Sequence, residues 1–171
     1  MPFDGRPVPR IRTLLLIGRG RKGRYVDILD CTELPGTAKS GLVEGSIELP
    51  FGEPAVIGRT TLDTEVKMMW SHIAGLVAGY REAGKATTDL PDQPGELRLE
   101  AIPGGLARLT LAYSEDTSLS NVAGEEDLLA ALAMGGVEFF EKLAELTGRF
   151  HDREVEQLTG RSGAGRTGPS T

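Results

Sequence analysis

The apolar positions along the chain change period several times, and each change marks an element. Arg10 to Ile17 (RIRTLLLI) ends in a solid apolar run, the pattern of a strand buried on both faces. Gly18 to Gly23 is a glycine-rich turn. Arg24 to Cys31 (RYVDILDC) then alternates, with Tyr25, Asp27, Leu29 and Cys31 on one face and Val26, Ile28 and Asp30 on the other. Together the two runs predict a hairpin. Residues 32–41 have loop composition. Leu42 to Leu49 predicts a third strand, weakened by Gly45, and after a turn at 50–54 the sheet could continue through Ala55 to Ile57.

From there the period becomes helical. Thr60 and Asp63 form a helix-start signal, and Gly84 is placed to end the helix. Val66, Met69, Trp70, Ile73, Val77 and Tyr80 share one apolar stripe between them. A helix over 61–83 would be about 34 Å long at about 1.5 Å per residue, enough to cross a sheet. Residues 85–95 hold Pro91, Pro94 and Gly95 and predict a connection. Glu96 to Ile102 and Leu106 to Tyr113 flank Pro103-Gly104-Gly105 as a second hairpin. Ala107, Leu109, Leu111 and Tyr113 fall on one of its faces, and Arg108 and Thr110 on the other. Residues 114–123 are polar and turn-like. Glu125, Glu126 and Asp127 open a second long helix, where acids complement the N-terminal dipole. Its predicted stripe is Leu129, Leu132, Ala133, Gly136, Phe140 and Leu143, and Gly148 can end it. Asp152 to Leu158 predicts a short last helix.

The predicted order is therefore β-β-β-α-β-β-α. It describes an α+β domain, an antiparallel sheet with two long amphipathic helices packed on one face. Residues 1–9, with Pro2, Pro7 and Pro9, form an extended arm, 10–158 a single domain, and 159–171 a mobile Gly/Ser/Thr tail. No internal repeat is visible.

Composition narrows the class. The chain has 171 residues, of which 39% are hydrophobic and 26% charged, so one ordinary globular domain is expected. The longest apolar run, Leu128 to Met134, is too short to span a membrane, and no secretory leader is recognisable. A cytoplasmic protein without membrane association is the expectation. Cys31 is the single cysteine, which excludes an internal disulfide and a four-cysteine or two-cysteine, two-histidine zinc site within one chain. His151 stands beside Asp152 and Glu154, too few strong donors for a metal, and no metal or cofactor is expected.

Charge adds an asymmetry. The net charge is -6, yet residues 1–24 carry +6 and residues 25–160 carry -14. A basic segment on an acidic body suits a polyanion or an acidic partner, or neutralises its own body.

Three sets of residues are candidates for chemistry. Gly18-x-Gly20-x-x-Gly23 matches a dinucleotide fingerprint, but the residues after it alternate like a strand, whereas that fingerprint must open a helix. What remains at this tip is an anion site formed by Arg19, Arg21, Lys22 and Arg24, able to grip a phosphate, RNA or an acidic surface. Without interleaved aromatics, base stacking has no support there. Asp27, Asp30, Cys31 and His72 are the catalytic alternative, in which a Cys nucleophile needs a base and a lowered pKa. The Asp27–Asp30 spacing puts those carboxylates on opposite strand faces. Met68, Trp70, Gly135 and Gly136 are the partner-contact candidates: an adaptable apolar pair and a smooth small-residue helix face.

No catalytic constellation stands out, so the expectation is a non-enzymatic protein that binds another protein and also itself, as a homodimer. The element order is similar to that of immunity proteins and secretion chaperones, so an immunity-, chaperone- or assembly-type role is the expectation. The alternatives are a small α+β enzyme or ligand-binding protein with a pocket between sheet and helices, and an RNA or anion contact through the basic tip.

Overall fold

The computed structural model describes residues 5, 7–18, 20–35, 41–51, 63–113 and 118–161. The arm up to residue 4, Arg19, Ala55 to Ile57, Thr60 and the tail from 162 lie outside these residues. The described chain runs β1 (Arg12–Ile17), a 3₁₀ turn, β2 (Arg24–Asp27), a second 3₁₀ turn, β3 (Glu44–Glu48), β4 (Asp63–Glu65) and α1 (Val66–Ala83). It continues with β5 (Lys85–Asp89), β6 (Glu96–Ile102), β7 (Leu106–Ala112), β8 (Ser118–Gly124), α2 (Glu125–Thr147) and α3 (Asp152–Thr159).

The α+β class and the antiparallel pairing are as expected, but the strands form two four-stranded sheets, ordered β2-β1-β3-β4 and β5-β6-β7-β8. Three strands account for the difference. Asp63–Glu65 pairs with β3 rather than beginning the helix. The helix starts at Val66, because Glu65 and not the Thr60/Asp63 signal caps it. The Glu65 carboxylate accepts from Met68 N at 2.5 Å and from Val43 N at 2.7 Å, joining the helix start to the chain before β3. Lys85–Asp89 was expected as connection, yet it pairs along its whole length with β6, directly after the left-handed cap at Gly84 (φ 72°). The prolines occupy only the turn that follows. Ser118–Gly124 likewise pairs with β7 as an edge strand.

The second sheet obeys the predicted alternation. Leu97, Leu99, Ala107, Leu109 and Leu111 are fully buried, while Arg98, Glu100 and Arg108 are exposed on the opposite face. α1 lies against β5 and reaches β3 and β4, so it bridges the sheets. Its whole predicted stripe is buried. The stripe of α2 is turned by one position: Leu128, Leu132, Gly135, Gly136, Phe139, Phe140 and Leu143 are buried, and Leu129 and Ala133 stand at its margin. Trp70 of α1 has no exposed surface, stacks on Phe139 with ring centroids 6.4 Å apart, and donates from Nε1 to Thr13 Oγ1 at 2.8 Å. α3 folds back across α1 and α2 after the left-handed cap at Gly148 (φ 72°). Both sheets and all three helices share one continuous apolar core.

Candidate functional site

The catalytic alternative comes apart geometrically. β2 ends at Asp27, and Ile28–Asp30 is a 3₁₀ turn rather than more strand, so Asp27, Asp30 and Cys31 belong to one tight corner. Asp27 is 9% exposed. One of its oxygens caps the turn, accepting from Leu29 N at 3.0 Å, and the other accepts from Arg12 Nε at 3.1 Å. Arg10 stands 3.9 Å from the same oxygen and ion-pairs with Glu138 of α2 at 3.0 Å, while Arg12 lies 3.5 Å from Glu48. The hydrogen bond to Asp27 raises the Arg12 pKa further. Two arginines of the basic N-terminal stretch thus neutralise their own body. Cys31 is buried, and its Sγ lies 3.5 Å from Asp27 O as a donor. Burial, with Asp27 and Asp30 adding negative field, pushes the thiol pKa up, which disfavours the nucleophilic thiolate.

His72 is on α1, bonded through Nδ1 to Asp89 O at 2.8 Å. A carbonyl can only accept, so Nδ1 is the donor in this bond. The ring lines a polar cleft of about 360 Å³ with Ser71, Thr87, Thr88, Arg153 and Glu154. Asp27, Asp30 and Cys31 do not line that cleft.

The glycine-rich stretch closes a hairpin and opens no helix. Gly18 takes φ 87°, Gly20–Lys22 is a 3₁₀ turn, and Arg24 pairs back onto Ile17. Arg21, Lys22 and Arg24 are exposed. Arg19, the fourth member of the anion candidate, lies outside the described residues. The structure brings three basic side chains to one tip but supplies no pocket there among the described clefts.

Of the partner-contact candidates, only Met68 reaches solvent, at 46% exposure. Trp70 is core. A Cβ added at Gly135 would lie 2.9 Å from Ile11 O and 3.1 Å from the Trp70 ring, and one at Gly136 would lie 3.0 Å from that ring and collide with Leu158. Gly135 and Gly136 are packed against Ile11, the Trp70 ring of α1 and Leu158 of α3, and the pairing of Met68 with Trp70 as a surface patch does not exist.

An open groove of mixed apolar and acidic lining lies between the last two helices, away from every sequence-predicted site. α2 and α3 enclose a groove of about 470 Å³. Phe140, 1% exposed, forms the floor, with Ala144 and Val155 as walls. Phe150 lines it at 64% exposure. Glu141, Glu145 and Asp152 make an acidic rim, and no lysine or arginine lines the groove. His151 packs on Phe140 with ring centroids 5.2 Å apart, and burial lowers its pKa, so the imidazole is neutral near pH 7. α3 is firmly held: Arg81 Nη1 and Nη2 donate to the carbonyls of Gln157 and Leu158 at 2.8 and 2.7 Å, and Leu158 fills the notch above Gly136. A cation at a helix C-terminus complements both its orphan carbonyls and its dipole.

The chain matches no protein-family model, no curated protein and no solved structure. The function therefore has to be argued from the geometry.

A second apolar groove, about 300 Å³, lies between Pro7–Ile11 and α2, with Val8, Ala130, Ala131 and Met134 in its lining. Met134 is 58% exposed. Among the described residues, no cluster of three His, Cys, Asp or Glu side chains could hold a metal. No described helix is long and apolar enough to cross a membrane. The sequence signal for the main groove was weak but present: Phe150, a lone aromatic just past a helix-ending glycine, between two acidic helical stretches.

Proposed function

We propose that this protein acts without catalysis, by binding another protein in the manner of an immunity, chaperone or assembly factor, and that the α2–α3 groove is its docking surface. The observation that carries the reading is Phe150, 64% exposed beside a groove floored by Phe140. Apolar surface left exposed forgoes the roughly 25 cal/mol per Å² that covering it would return, and open apolar grooves with polar rims are where partners sit. The groove is preformed, because Arg81 and Leu158 fix α3, so docking demands little reorganisation. The competing catalytic reading has a caged Asp27, a thiol shifted the wrong way and His72 in a separate cleft. A homodimer would have to use the exposed Met134 side of α2, since Gly135 and Gly136 are packed inside the fold. The one cysteine, buried and unpaired, suits a reducing cytoplasm.

The test is a photo-crosslinking amino acid placed at position 150 in the native cell, with position 120 on the exposed sheet edge as control. The reading expects a discrete protein adduct from position 150 that survives nuclease, and none from position 120. No adduct at 150, or the same adducts from both positions, contradicts it. An adduct lost on nuclease treatment transfers the function to the basic tip of Arg21, Lys22 and Arg24.

A further inference from the structure

We infer that a second cavity lined by His151, together with Lys67 and Arg149, binds a small organic phosphate monoester: a dianion with an apolar group attached. This stands independently of the partner-binding reading above.

The cavity, about 270 Å³, lies where the start of α1, the end of α2, the linker to α3 and the chain before β3 meet. Val43 and Leu143, both buried, and half-buried Leu34 give it apolar lining. Lys67 enters from the first turn of α1, and Arg149 and His151 from the linker. The frame is set before any ligand arrives. Glu65 holds Val43 N at 2.7 Å and Met68 N at 2.5 Å, which fixes the start of α1 against Val43. Thr147 Oγ1 donates to Leu143 O at 2.8 Å and accepts from Arg149 N at 3.2 Å, so the backbone of Arg149 is held just past the left-handed turn at Gly148. A preformed site spends little of its binding energy on ordering itself.

Charge decides the ligand. Residues 25–160 carry -14, yet among the described residues no Asp or Glu lines this cavity. Neither the Lys67 ammonium nor the Arg149 guanidinium makes an ion pair or hydrogen bond with a described residue. Glu65 is two residues from Lys67, but its carboxylate is committed to main-chain amides. A cation in the first turn of a helix opposes the helix dipole, so Lys67 adds nothing to α1 where it stands, and an anion beside it gains from both. His151 feels the same field: burial first, and then Lys67, lower its pKa against the pull of Glu154 and Asp152. Two cations match the charge of about -1.5 to -2 on a phosphate monoester near pH 7, and the arginine fork and the lysine point charge are both phosphate donors. Free phosphate would leave Leu34, Val43 and Leu143 uncovered, whereas an apolar group on the ester covers them. The basic hairpin tip offers cations without a cavity, and the cleft beside His72 sets Glu154 next to Arg153.

The chain has two histidines, so its imidazole protons make a two-site NMR reporter. The full chain is titrated at pH 7.5 with phenyl phosphate, inorganic phosphate and benzoate. Three proteins are compared: the natural chain, Lys67→Met with Arg149→Met, and the tip control Arg21→Met with Lys22→Met. Circular dichroism establishes that each is folded. Phenyl phosphate should shift the His151 resonance saturably and leave that of His72 in place, equally in the natural chain and the tip control. Binding should weaken with added salt, and should be at least tenfold weaker in the Lys67/Arg149 variant. Inorganic phosphate and benzoate should each bind at least tenfold more weakly than phenyl phosphate. The natural chain alone can refute the inference: no saturable shift of His151, or a shift of His72 instead, overturns it. Inorganic phosphate binding as tightly as phenyl phosphate overturns the apolar contact, and benzoate binding as tightly overturns the dianion. Unchanged affinity in the Lys67/Arg149 variant, or affinity lost in the tip control, overturns the assignment of the site. Crosslinking at position 150 is read separately, so either result leaves the partner-binding reading where it stands.

Discussion

Gly75 and Gly136 both sit inside helices, yet a methyl group added to each meets opposite surroundings. Nothing lies within 4 Å of a Cβ at Gly75, which is exposed on α1, whereas a Cβ at Gly136 would lie 3.0 Å from the Trp70 ring. Alanine favours a helix interior over glycine by about 1 kcal/mol, while forcing a methyl into a packed core costs about 1–3 kcal/mol. Gly75→Ala should therefore raise the urea midpoint and Gly136→Ala should lower it. Midpoints that move in the same direction would show that Gly136 does not carry the helix–helix contact ascribed to it. His151 gives a pH signature. Burial lowers its folded pKa below the ordinary 6.5, against the weaker opposing pull of Glu154. The unfolded chain then binds more protons than the folded one, so this contribution is present above about pH 6.5 and is lost as pH falls through the folded value. Unfolding free energies of the natural chain and of His151→Gln, compared at pH 7.5 and 5.5, should show the larger loss in the natural chain. Parallel losses would contradict burial of a neutral imidazole against Phe140.

At the scale of elements, what was legible in sequence is what depends on near neighbours. The stripe of α1 repeats every three or four residues, and Gly84 and Gly148 end their helices as placed, so local periodicity and cap chemistry sufficed there. β5 and β8 were not legible. Lys85-Ala-Thr-Thr-Asp89 and the polar start of β8 are edge strands that bury little, and their polar residues resemble a loop until β6 and β7 supply hydrogen-bond partners. The start of α1 was misplaced because its cap also serves Val43, 22 residues earlier in the chain, a contact that no local signal encodes. The groove was hidden for the same reason, since Phe140 and Phe150 become neighbours only when α3 folds back. Arg81 is the pin of that return, and Arg81→Met should speed amide exchange in 152–159 well before 125–147, with a global cost of about 1–2 kcal/mol for the two lost hydrogen bonds. Unchanged exchange in α3 would mean that Leu158 alone holds it.

For the whole molecule, the uneven charge acquires a division of labour. Part of the basic N-terminal stretch is spent internally, through Arg10 on Glu138 and Arg12 on Asp27 and Glu48, which ties β1 to its neighbours. Of the remaining basic residues, Arg21, Lys22 and Arg24 stand at a hairpin tip, while Glu141, Glu145 and Asp152 are exposed around the groove. The α+β class was readable from the order of elements, but the groove proposed as its docking surface depends on long-range packing. The most direct test of its role is the native mass of the tagged protein isolated from its own cells under nuclease, for the natural chain and for Phe150→Ser. The partner-binding account predicts a stoichiometric complex for the natural chain and a free, folded protein for the variant. A complex of the same mass in both would contradict it.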